Sequence, residues 1–182
     1  MDYFEALKRS ADEPTGDAEE QSITLPEPPS MTSASDILGF IKKVCDGLYF
    51  SSDSDEPVEL YQLSPASLQA LESGADKLSL PSAKDFAELV AAGSLTQQSD
   101  GVEFVAERRP VGEFFQRLCG QQVSEQQKQL AGALSDVFER TRGVAGAEVA
   151  YYRVGVAPSI EVYVVMLVDG QVVGIKTLSV ET

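Results

Sequence analysis

The sequence predicts an α/β (α+β) fold, a three-layer α/β/α sandwich with a mostly antiparallel C-terminal sheet, and three observations carry that prediction. Three consecutive stretches at the end of the chain, AEVAYYRV, SIEVYVVMLV and QVVGIKTLSV, are rich in β-branched and aromatic residues. Asp169-Gly170 joins the last two, and this dipeptide supplies the positive φ angles of a tight type I′ hairpin. Residues 160 to 168 are apolar on both faces, apart from Glu161 and the Tyr163 hydroxyl, so that strand should be central and covered by helices on each side.

The elements upstream follow from local signals. Ser10 to Ser30 is acidic, carries Pro14, Pro26, Pro28 and Pro29, and has little to bury, so residues 1–34 are expected to form a disordered, Pro-rich extension to a domain spanning 35–182. In front of that linker, Tyr3, Phe4 and Leu7 would share one side of a short helix. Ser33 and Asp36 have the spacing of an N-terminal cap, Ile37, Ile41, Val44 and Leu48 then follow at helical spacing, and Asp46-Gly47 stops the helix. SSDSDEP, Ser51 to Pro57, reads as an acidic loop, followed by a strand over Val58–Leu63. Two helices are expected between Pro65 and Gly93, one around Leu68 and Leu71, the other carrying Phe86, Leu89 and Val90. Gly101–Glu107 reads as a strand and VGEFFQRL, after Pro110, as a helical turn or two. Ser124 and Gln127 form a capping box for a helix that buries Leu130, Leu134, Val137 and Phe138 and ends with Arg140, Arg142 and Gly143. The sequence contains no internal repeat.

Composition narrows the function. With 182 residues and 43% hydrophobic content the chain can bury one core. Its 29 acids against 14 bases, a net charge of −15, argue against direct binding of nucleic acid, which depends on Lys and Arg neutralising phosphates. The expected partner is basic. Histidine is absent, which removes the usual zinc and Ser-His or Cys-His sites, so no enzymatic activity and no cofactor are expected. Cys45 and Cys119 are too few for a disulfide framework and read as small buried hydrophobes. No signal peptide or membrane span is visible, and a monomer in the cytoplasm is the expectation.

Two acidic features stand out as candidate partner sites. Asp53, Asp55 and Glu56, following Asp46, lack the spacing of a calcium loop but can present carboxylates to arginines of another protein; a merely solvated loop is the plainer reading. At the other end of the chain, the last strand runs directly into Glu181 and Thr182, so their oxygens would project as a rigid anionic tip; a domain that simply ends there is the plainer reading. Gly170 and Gly174 read as turn and strand glycines, and Phe114-Phe115 and Tyr151-Tyr152 as core or interface fillers.

Three segments resemble the nuclease A inhibitor family: ILGFIKKVCDGLYFSSDSDEPVELY over 37–61, EFFQRL over 113–118, and YRVGVAPSIEVYVVMLVDGQVVGIKTLSVET over 152–182. The resemblance spans most of 37–182; Leu63 to Val102 carries a helical insertion, and residues 1–34 have no counterpart in the motifs. It implies an α/β/α inhibitor of a sugar-non-specific, magnesium-dependent DNA/RNA endonuclease. By that resemblance Thr182 reaches the nuclease's catalytic metal region. Asp53 meets an active-site arginine from a position where the family pattern has glutamate, one methylene longer. A further acidic contact maps most nearly to Glu125, in GQQVSEQ. The competing expectation is a general acidic interaction module, an adaptor or chaperone, recruiting through Tyr3, Phe4 and Leu7. An enzyme using Asp53 and Asp55 as catalytic carboxylates is disfavoured by the lack of histidine and of any motif.

Overall fold

The structure, a computed structural model, describes residues 24–30, 33–63, 79–91, 104–120 and 123–181. Tyr3, Phe4, Leu7, the helix expected around Leu68 and Leu71, and Thr182 lie outside them. Thr24–Ser30 forms neither helix nor strand.

Helix α1 spans Ala34–Cys45, and its cap is the expected one, with the Ser33 side chain accepting a hydrogen bond from the Asp36 N–H. Asp46 is its C-cap, and Gly47 follows at φ 83°, in the left-handed region where a side chain would be strained. The acidic stretch then departs from its expected form. It is a two-stranded ribbon, β1 (Tyr49–Ser51) against β2 (Asp55–Pro57), and only Ser52, Asp53 and Ser54 form its loop. Strand β3 is Glu59–Leu63 and helix α2 is Ala83–Ala91. Strand β4 (Phe104–Arg109) and helix α3 (Val111–Leu118) lead to α4 (Glu125–Arg142), whose first turn is capped by the Ser124 hydroxyl accepting from the Gln127 N–H. Strands β5 (Glu148–Val156), β6 (Ser159–Val168) and β7 (Gln171–Val180) complete the chain's described part.

The main sheet has the order β3-β7-β6-β5-β4, antiparallel throughout, with β6 at its centre. Helices cover both faces, as the apolar run of β6 required. On one face α1, α3 and α4 pack Ile37, Ile41, Phe114, Leu134 and Phe138 against Tyr151, Val164, Met166 and Ile175. On the other, α2 brings Phe86 onto Tyr152 and Tyr163; the Phe86 and Tyr152 rings stack with centroids 4.1 Å apart. Asp169 and Gly170 take φ 52° and 68°, the type I′ geometry their sequence demands. Gly174 lets β7 sit close to β6, since a Cβ there would lie 2.1 Å from the Val164 carbonyl oxygen.

The cysteine expectation needs one correction. Cys45 is partly buried and its thiol is pushed up to about 12 by desolvation, but Cys119 is exposed, because the chain leaves α3 at that residue and turns its side chain away from the core.

Candidate functional site

The acidic ribbon is rooted in the core by one side chain. Phe50, fully buried on β1, stacks on Phe114 of α3 with centroids 5.3 Å apart, while its neighbours Tyr49 and Ser51 face solvent by strand alternation. Strands of three residues have few ladder bonds, and serine hydroxyls supplement them. The Ser51 hydroxyl donates to Asp55 Oδ1 at 2.7 Å, the Ser54 hydroxyl to Glu56 Oε1 at 2.8 Å, and both the N–H and the hydroxyl of Ser52 reach the Ser54 carbonyl, at 3.0 and 3.2 Å. Asp53 is therefore the exposed apex of a braced turn. Asp55 and Glu56 partly serve the brace.

This turn is stitched to the end of β7. The Asp53 N–H donates to the Val180 carbonyl at 3.2 Å, and the Val180 N–H donates to the Ser52 hydroxyl at 3.0 Å. On its other side, the Glu181 N–H donates to the Pro158 carbonyl at 2.8 Å, in the turn between β5 and β6. Asp53 and Glu181, 128 positions apart in sequence, thus border one shallow recess, lined also by Ser51, Ser52, Ser179 and Arg117.

The Glu181 carboxylate points inward, contrary to the projecting tip expected of it. It accepts a short charge-assisted hydrogen bond from Arg153 Nη2 and another from the Ser179 hydroxyl at 3.1 Å, and Arg117 Nη1 stands 3.7 Å away. A buried cation within reach outcompetes solvent for the carboxylate. Desolvation raises this carboxyl, but the hydrogen bond and charge of Arg153, with Ser179 and Arg117, outweigh it and hold the group below the usual glutamate range. The ion pairs continue past Arg153 to Glu107 at 3.2 Å, from Glu107 to Arg109 at 2.8 Å, and from Arg109 to Glu113 at 3.6 Å.

Glu125 is set apart from this cluster. It occupies the first turn of α4, where an acid suits the helix dipole, and pairs with Lys128 at 3.2 Å. Its helix nevertheless touches the ribbon, because the Gln127 side chain donates to the Tyr49 carbonyl.

Arg153 and Arg117 were missed by the sequence reading. The available signal was an arginine at an inward-facing position of a strand otherwise apolar on that face, Tyr151-x-Arg153, together with Ser179 on β7 and Glu181 just past its end. Chemically, the site offers carboxylates, three of them hydrogen-bonded to serine hydroxyls, beside the guanidinium groups of Arg153 and Arg117. Among the described residues no group of three or more acids or cysteines is arranged to hold a metal ion, and no helix is long and apolar enough to cross a membrane.

Comparison with known proteins bears on this arrangement. A family model described as NuiA-like matches residues 1–180. The match takes in residues 1–34, for which the motifs had no counterpart, and it stops before Glu181 and Thr182. No curated protein matches the chain. With nearly its whole length matched, the chain belongs to the NuiA-like family, a nuclease inhibitor A-like family.

Proposed function

We propose that the protein inhibits a sugar-non-specific, magnesium-dependent endonuclease by filling its active-site cleft with the Ser52-Asp53-Ser54 turn and the end of β7. The observation that carries this reading is the pair of hydrogen bonds joining Asp53 and Ser52 to Val180, which makes one acidic edge from two distant segments. A nuclease cleft is built for a polyanion around a cation. An edge bearing Asp53, Asp55 and Glu56 matches that field, and it contains no phosphodiester to be cleaved. In this reading Asp53 meets an arginine of the nuclease and Thr182 approaches the partner's metal. Glu125 contributes at the rim. The protein acts without turnover and without a cofactor, as a cytoplasmic monomer.

The test is titration of the purified protein into a magnesium-dependent, non-specific nuclease while DNA degradation is followed. The expected result is stoichiometric inhibition that extra magnesium does not relieve and that Asp53→Lys weakens. If the protein forms no complex with such nucleases and a pull-down returns other proteins instead, it is an acidic interaction module without a nuclease target.

A further inference from the structure

We propose that Arg153 is a positioning residue: it holds Glu181, and through Glu181 the end of β7, in the place that presents Asp53. The role in inhibition rests on the reading above; the mechanical link rests on geometry alone.

Arg153 lies on β5 at 5% exposure, opposite Glu107 on β4 and Val162 on β6. Its guanidinium bridges two carboxylates from separate parts of the chain, Glu107 through Nη1 and Glu181 through Nη2. Its Nε is buried with no hydrogen-bond partner among the described residues. A buried cation with an unsatisfied N–H is a poor device for stability, because desolvation and the orphaned donor offset much of the Coulombic gain. An apolar side chain of similar length would fill the same space without either cost. What the guanidinium adds is direction, since its planar fork fixes the angle at which each carboxylate is held.

The fixed direction passes to the acidic turn in short steps. Glu181 is held at its side chain by Arg153 and at its backbone by the Pro158 carbonyl. Val180, the preceding residue, carries both hydrogen bonds to the turn, to the Ser52 hydroxyl and from the Asp53 N–H. Arg117 cannot replace Arg153 in this, being half exposed and 3.7 Å from the carboxylate. A turn already held in place has less ordering entropy to lose when it enters a cleft.

The experiment compares wild type, Arg153→Met, Glu181→Gln and the double variant by amide hydrogen exchange and by nuclease inhibition. Glu181 is partly exposed, so Glu181→Gln tests the link from its outer end should Arg153→Met fold poorly. Exchange at the Asp53 and Glu181 amides should quicken about tenfold or more in each single variant, with the amide of Val164 on the central strand unchanged. Inhibition should weaken by about tenfold in each, and the double variant should be no worse than the worse single, as expected for two ends of one interaction. Unchanged exchange at Asp53 and Glu181 would overturn the proposal. So would uniform quickening that includes Val164, or full inhibition by a variant whose β7 end has loosened. A wild-type protein that inhibits no nuclease sinks the inhibitor reading instead, and the exchange pattern then still decides whether Arg153 holds the Asp53 turn.

Discussion

The two ends of β7 are built on different physics along one face of one strand. On the face where Val173 and Ile175 join the cluster under α1, α3 and α4, alternate positions run on through Thr177 and Ser179, and Glu181 follows just past the strand's end. Near the Asp169-Gly170 turn this face is apolar and fully buried, 0% exposed at Val173 and 1% at Ile175. Beyond it the same alternation places hydroxyls and then a carboxylate. Thr177 donates to the Pro57 carbonyl at 3.0 Å and Ser179 to Glu181 at 3.1 Å. Apolar burial is non-directional and supplies most of the stability of a fold. Hydrogen bonds and ion pairs add less net energy, but they fix angles. One end of β7 therefore holds the molecule together, and the other aims what the molecule presents.

The largest effect should come from damaging the apolar half. Phe138 of α4 is 1% exposed and packs on Phe115 with ring centroids 5.6 Å apart. Phe138→Ala should lower the unfolding free energy by about 3 to 5 kcal/mol, through lost transfer energy and the cavity left behind. Urea denaturation measures it. At temperatures where the variant remains folded, its inhibition of a nuclease should match wild type; a selective loss of inhibition would mean that the two halves are not separable.

Asp53→Lys should do the reverse. The side chain is at an exposed turn apex, so the urea midpoint should hardly move, whereas affinity for the nuclease should fall by about 2 to 5 kcal/mol if Asp53 meets a desolvated arginine. Unchanged inhibition by a folded variant removes Asp53 from the contact. Removing Thr182 is the next step down. It should cost on the order of 2 kcal/mol in affinity, roughly thirtyfold, with no change in stability. A tag added after Thr182 should impair inhibition more than the deletion, and an N-terminal tag should not; equal inhibition by all these forms would take Thr182 out of the site.

The same division explains what was legible in the sequence. The apolar half could be read because its rules are local and periodic: the Ser33 and Ser124 caps, the helical spacing of Leu130, Leu134, Val137 and Phe138, and Asp169-Gly170 all formed as their neighbours dictated. The family resemblance drew on both halves, since its first segment contains SSDSDEP and its last runs on to Glu181 and Thr182. The polar half depends on distant partners. SSDSDEP became a ribbon because Phe50 finds Phe114 and Ser52 finds Val180, pairings that no local pattern encodes. Glu181 turned inward for Arg153, 28 residues away, and a strand arginine gives no hint of which carboxylates it will bridge. The acids were found, and the cations that orient them were not.

The smallest effect, and the most specific to the polar half, is the pH dependence that Glu181 contributes. Partial burial raises its carboxyl, but Arg153, Ser179 and Arg117 together hold it below the usual value of about 4.3. A carboxyl depressed in the folded state stabilises the fold fully above its unfolded value, and that contribution is lost as pH falls through the lower, folded value. Stability from this source should therefore be flat from neutrality down to the ordinary glutamate range and decline below it. Glu181→Gln removes the titrating group and with it this part of the acid slope. The urea midpoints of wild type and variant should differ by a constant amount near neutral pH and converge as the solution is taken below the ordinary range. Because the side chain is 40% exposed, solvent screening keeps the difference small. Midpoints that stay equally far apart well below the glutamate range would mean that the variant acts by something other than loss of the charge, and the Arg153–Glu181 pair would then be one more packing contact, without a titrating role at the polar end of β7.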